Sequence, residues 1–304
     1  MAEASTKVVY AALVGNVLVA LCKFGAAFLS GSSAMLTEAI HSTADTVNQL
    51  LLLVGNNRSR RRKDASHAFG YGMEVYFWTF VVAVIVLLAG GVASVWEGVR
   101  QLASPEPIKS PGISFGVLAL SALFEGASFA VGYRAYKRRV GGRKVQGRPV
   151  GMWQFIKLSK DPNLYESLLE DSAALIGLGL AVTGVLASVF FGALWADGAA
   201  SIAIGALLIG CSLIIAEATR SLMAGETVAP PVLEDIRRVL QTYADRLSAS
   251  EVKTLHLGPR SILVALTIKM RSKGFAKAER DLSELTANIR SLDERIAFVY
   301  FRFD

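Results

Sequence analysis

Six apolar stretches, each long enough to cross a bilayer as a helix, constrain this chain of 304 residues more than any other feature. A helix rises about 1.5 Å per residue, so roughly 20 residues cover the roughly 30 Å of hydrocarbon. Inside lipid no water satisfies a bare backbone N–H or C=O, so each stretch has to close its own hydrogen bonds as a helix. The spans are expected at 7–29, 32–54, 74–97, 112–133, 163–189 and 193–217. Residues 1–222 then form a transmembrane domain. The fold class is an α-helical polytopic membrane protein with six transmembrane helices, followed by a small α+β domain over 223–304.

Charge orients the spans. The formal net charge of +7 does not point to nucleic acid, because the positive residues sit in loops beside the spans. Arg58, Arg60, Arg61, Arg62 and Lys63 follow the second span. Arg134, Lys137, Arg138, Arg139, Arg143, Lys144, Arg148, Lys157 and Lys160 follow the fourth. The connection Gln101–Pro111 is Pro-rich and poor in net charge, and the loop around Phe191–Trp195 has no Lys or Arg. The two basic loops are therefore expected in the cytoplasm together with both termini. The start, MAEASTKVVY, runs straight into a full span without a cleavable signal, which favours a bacterial plasma (inner) membrane and leaves an organelle membrane open. Cys22 and Cys211 lie within spans and offer neither a disulfide framework nor a CxxC site.

The second span carries charge where lipid tolerates it least. Glu38, His41 and Asp45 are spaced by three and four residues and share one helix face. Ionisable groups in a membrane cost several kcal/mol each, so they face a partner, a water-filled cavity or a bound ion. A neutral imidazole and a carboxylate one turn apart are ready ligands for a divalent metal. The competing reading is a polar network that only joins helices. In span five, Asp171 lies about two turns in, at a depth to meet His41 and Asp45 if the two spans pack side by side. Ala39, Ala44, Ala173, Ala174 and Gly177 allow that approach. Glu166 fits an ordinary solvated helix start, where acids suit the dipole; for Glu170 that reading and an accessory role stand equal. His41, Asp45 and Asp171 together would suit zinc, with manganese, cobalt and iron also compatible. Protons compete with metal for the His41 nitrogen, which offers a coupling mechanism.

Four further groups belong to the reading. Glu125 in span four is a lone acid, serving either a packing hydrogen bond or a proton relay. Asp197 is expected to act as an N-terminal cap, with an entry group for ions as the alternative, His67 as a loop histidine and His256 as a structural one. From Glu226 onwards the composition is that of a soluble domain. Pro230-Pro231 opens an amphipathic helix, EVKTLHLG and SILVALTIKM read as strands about a Gly258-Pro259 turn, a helix follows at about 275–291, and RIAFVYFRF closes as a strand. The order is αββαβ.

These residues resemble the cation diffusion facilitators, the ZnT-type metal transporters. SGSSAMLTEAIHSTADTVNQLLLL is similar to the family's second span, and HAFGYGMEVYFW to its loop into span three, with Ala68 where Pro is usual. WADGAASIAIGALLI is similar to its sixth span. FGYGMEVYFW with LLEDSAALIGL most resembles the subgroup of the mitochondrial zinc exporter and its bacterial relatives. The resemblance implies a homodimer that exchanges cytoplasmic zinc for protons. It implies a transport site in which His41 and Asp45 supply the span-two pair and Asp171 the aspartate of the span-five pair. The histidine of that second pair is replaced by Ser167. Glu170 is the nearest carboxylate, but it points about 100° away from Asp171 on a helix. Glu38 stands where many members have Asp. The tail resembles a ferredoxin-like, metallochaperone-like domain serving dimerisation.

The function expected is secondary active export of a divalent cation, Zn2+ first, in exchange for protons. No resident cofactor is required; the partners are a second copy, the lipid bilayer, metal ions and protons, with no nucleic acid. The alternative is a non-transporting membrane scaffold or metal sensor. An enzyme is disfavoured, since no nucleophile–base pair or HExxH motif occurs in the spans.

Overall fold

In a computed structural model of the chain, residues 2–140, 144–145, 148–149, 151, 154–155, 160–271 and 275–303 are described. Arg143 and Lys157 of the second basic loop lie outside them. The helices run α1 Ala2–Ser30, α2 Ser33–Ser59, α3 Glu74–Ile85, α4 Ala93–Ala103, α5 Pro111–Val140, α6 Pro162–Phe191 and α7 Trp195–Met223. A π-helical segment, Val86–Val92, joins α3 to α4, so the third apolar stretch is continuous from Glu74 to Ala103. It runs six residues beyond the expected end at 97, because the amphipathic turn ASVWEGVRQLA prolongs the helix past the apolar run.

Five of these helices are long and apolar enough to cross a membrane: α1, the α3–α4 stretch, α5, α6 and α7. The 27-residue α2 is not among them. Its length suffices, but Glu38, His41 and Asp45 interrupt the apolar run that defines the others.

The described residues form two compact units. The first gathers 1–54, 78–155 and 163–217. Its core is built from Ala26, Ala27, Ala34, Met35, Leu118, Ala173, Leu178, Ala181, Val185, Ala200, Ile204 and Leu208. Small residues dominate because helices in lipid gain by close van der Waals approach rather than by expelling water. The π segment and α4 both cross α7 closely: a Cβ on Gly98 of α4 would sit 2.6 Å from the Gly198 carbonyl oxygen, and one on Gly205 2.8 Å from the carbonyl oxygen of Gly91 in the π segment. Large side chains such as Phe28, Leu123, Phe124 and Phe190 are exposed on the unit's exterior, as expected of a lipid-facing surface.

The second unit gathers 55–77, 156–162 and 218–304. Its elements are α8 Pro230–Thr242, β3 Leu247–Gly258, β4 Ser261–Met270, α9 Phe275–Leu292 and β5 Ile296–Phe303. The order is the expected αββαβ. β3 and β4 pair antiparallel and β4 and β5 parallel, in the sheet order β3-β4-β5. Ile236, Leu240, Leu285 and Ile289 from the helices pack with Ile262, Val264, Leu266 and Ile268 of β4, whose alternate residues face them. A separate antiparallel pair is formed by β1 Lys144–Val145 and β2 Arg148–Pro149 in the long basic loop.

The loop after α2 is part of this second unit. Phe69 packs edge-on against Phe298 and Tyr300 of β5. Gly72 lies so close to the end of β3 that a Cβ there would be 2.4 Å from the Leu257 carbonyl oxygen. Lys160 pairs with Glu226 and its carbonyl accepts from the Tyr76 hydroxyl.

Candidate functional site

The start of α2 is fixed from two directions. Ser32 caps the helix, its Oγ accepting from the Met35 N–H at 3.2 Å. Asp197, in the first turn of α7, accepts from Ser32 Oγ and from the Ser33 N–H, both at 2.6 Å. Asp197 does act as a cap, but of α2 rather than of its own helix, because its fully buried carboxylate meets the free N–H groups there.

Two turns on, α2 presents its polar face. Glu38, His41 and Asn48 are buried and Asp45 is half-buried. His41 Nδ1 lies 3.5 Å from Asp45 Oδ1. Both His41 ring nitrogens and Asp45 Oδ1 lack a hydrogen-bond partner. A buried imidazole without a partner costs about 1–3 kcal/mol, so this pair is a candidate donor set for a cation. Lys23 of α1, which composition hid within an Ala-rich apolar run, is buried and donates to Glu38 Oε2 at 3.0 Å and to Ser42 Oγ at 2.7 Å. The predicted small residues do admit α6: Ala39, Ala44, Ala173 and Ala174 are buried, and a Cβ on Gly177 would come within 3.0 Å of Glu38 Oε1.

α6 brings three acids to this face. Glu166 is buried, not a solvated helix start, and accepts from the Asn48 amide. Glu170 accepts from the same amide at 2.8 and 2.6 Å. Glu170 also lies within hydrogen-bonding range of Asp45. The α6 carboxyl beside Asp45 is therefore Glu170. Asp171, one residue on, turns to α5, where Ser128 Oγ donates to both its oxygens at 3.1 Å. Glu125 of α5 lies within electrostatic reach of His41, Asp45 and Asp171. Ser167 is half-buried on α6. Among the described residues, no three His, Cys, Asp or Glu side chains stand together in an arrangement that holds a metal ion. The acids ring the His41–Asp45 pair from α5 and α6 without closing on one point.

The remaining histidines stay apart. His67 is exposed, 3.6 Å from Asp64 and stacked on Tyr71. His256 is buried on β3 with both ring nitrogens unpartnered. Burial, and then the charges of Arg295 and Lys160, push it down to about 4.

The cation efflux transmembrane domain matches residues 9–223. The chain is 29% identical over 252 residues to the human protein named proton-coupled zinc antiporter SLC30A9, mitochondrial, covering 83% of this chain and 44% of that protein. It is 30% identical over 257 residues to metal tolerance protein C4 of Arabidopsis thaliana, covering 84% and 55%. It is 23% identical over 238 residues to manganese efflux system protein MneP of Bacillus subtilis, covering 78% and 75%. The chain thus spans about half the length of the first two relatives. A multi-pass membrane protein whose match covers all of α2 to α7, the chain belongs to the cation efflux family, the cation diffusion facilitators, whose members are metal transporters rather than enzymes.

Proposed function

We propose that this chain exports a divalent cation, Zn2+ first, from the cytoplasm in exchange for protons, through a site of His41, Asp45 and Asp171. The observation that carries the reading is the buried His41–Asp45 pair, its ring nitrogens and one carboxylate oxygen unpartnered among apolar helices. Glu170 and Glu125 serve as accessory groups for metal or proton, Glu38 is held in an ion pair by Lys23, and Ser167 leaves the fourth ligand to a carboxylate or water. Small rotations of α6 would bring Asp171 or Glu170 onto the ion, and rocking of the bundle would expose it to either side. The names of the relatives favour zinc, with manganese as comparator.

In this reading α2 crosses the membrane as the second of six spans, residues 1–222 form the membrane domain and 223–304 a ferredoxin-like cytoplasmic dimerisation domain. The protein is a homodimer of a bacterial plasma membrane with both termini inside. The αββαβ order and the basic loops support that arrangement. The second reading is a scaffold whose acids only join helices, favoured by the Asn48 bridge to Glu166 and Glu170. Zinc flux into proteoliposomes under an imposed pH gradient separates the two. Flux that vanishes in folded, dimeric Asp45→Ala and Asp171→Ala supports transport at this site. Absence of flux from folded wild type with zinc, manganese, cobalt and iron leaves the scaffold.

A further inference from the structure

We propose that Lys23 is a tethered counter-cation that withholds Glu38 from the metal, restricting the ligand set to His41, Asp45 and the acids of α6. The inference rests on the transport reading above. Lys23 Nζ occupies the position a cation would take on Glu38, 3.0 Å from Oε2, and is steadied by Ser42 Oγ at 2.7 Å. Both side chains of the pair are fully enclosed. Glu38 is one turn from His41 on the same face, so without the ammonium its carboxylate is free to join His41 and Asp45. Its other oxygen, Oε1, has no hydrogen-bond partner and points at Gly177, where the missing Cβ leaves it room.

A purely structural role accounts poorly for this pair. Replacing a buried ion pair by apolar residues of similar size is often neutral or stabilising, and a lysine within a membrane helix is costly in itself. What the pair does is cancel one carboxylate beside the ion-binding face. A transported ion has to leave, and each additional anionic ligand holds it longer. Lys23 keeps the site weak enough to turn over.

The test is Zn2+ titration of the purified full-length protein in detergent, paired with proteoliposome flux, on wild type, Lys23→Gln and the double variant Lys23→Met/Glu38→Gln. Lys23→Gln keeps hydrogen-bonding capacity and removes the charge. It is expected to bind Zn2+ about tenfold or more tightly and to transport more slowly. The double variant, with neither charge, is expected to return to wild-type affinity. Folded Lys23→Gln with unchanged or weaker affinity overturns the proposal, as does tightening that persists in the double variant. If Lys23→Gln fails to fold, the double variant decides alone: wild-type affinity supports the exclusion of Glu38, and a loss of about tenfold or more shows that Glu38 was a ligand. Wild type that neither binds nor transports metal removes the transport reading itself, an outcome distinct from these.

Discussion

The α4–α7 crossing makes a prediction whose sign opposes ordinary helix chemistry. Alanine is favoured over glycine in a helix interior by about 1 kcal/mol, so Gly→Ala in a long helix normally stabilises. At Gly98 the added Cβ would sit 2.6 Å from the Gly198 carbonyl oxygen, 2.7 Å from Ile202 Cγ1 and 2.8 Å from the Ile202 nitrogen. Two of these obstacles are backbone atoms that cannot rotate away, so the two helices have to separate by several tenths of an ångström. Overpacking costs about 1–3 kcal/mol, and rigid obstacles put this site at or beyond the upper end. Less the propensity gain, Gly98→Ala is expected to destabilise by about 2 kcal/mol. At a few degrees per kcal/mol for a chain of this size, melting in detergent should fall by about 4–8 °C. Gly116 of α5 has nothing within 4 Å of its missing Cβ and is the control: Gly116→Ala should melt at or slightly above wild type. Gly98→Ala melting at or above wild type would refute the close crossing.

Three further outcomes follow from single groups. Asn48→Ala removes the amide shared by Glu166 and Glu170 and should cost about 1–3 kcal/mol by thermal melting; an unchanged melt would mean the amide bridges nothing. Asp197→Ala strips two hydrogen bonds from the start of α2 and should cost about 2 kcal/mol, with Asp197→Asn recovering part of it. His256 sits near 4 in the folded protein against 6.5 ordinarily, so the unfolded chain binds its proton more readily between those values. The stability it contributes is whole above pH 6.5 and is lost as pH falls toward 4, by about 3 kcal/mol. His256→Leu removes the titrating group, so acid titration of its melting temperature should be flatter than that of wild type over this window, and an equal slope would exclude His256 as the cause.

The helices and the αββαβ tail were legible because each has a single strong period or an unbroken apolar run. The polar face of α2 was legible as far as Asp45. Asn48 continues the same stripe one turn on, and spacing alone could have included it. Lys23 was missed because its neighbours are apolar, although a lysine in mid-span always requires a partner. Glu166 was misjudged because acids at helix starts usually serve the dipole, and only tertiary packing reveals that the Asn48 amide covers this one. Which of Glu170 and Asp171 approaches Asp45 is beyond sequence altogether. Adjacent residues differ by 100° in direction, and the rotation of α6 is set by Gly177, Ala173 and Ala174 packing together.

The cap that Asp197 places on α2 also orders the protein's biogenesis. Lys23 precedes Glu38 by 15 positions, so the partner of that acid exists before α2 is made. The Ser33 N–H waits for a carboxylate 164 positions downstream. At about 5–20 residues per second that interval lasts on the order of ten to thirty seconds. Throughout it the newborn α2 has Glu38 paired and Ser32 capping its start, while the Ser33 N–H lacks its carboxylate. The least apolar of the helices α1 to α7 thus waits for its last partner until α7 is synthesised.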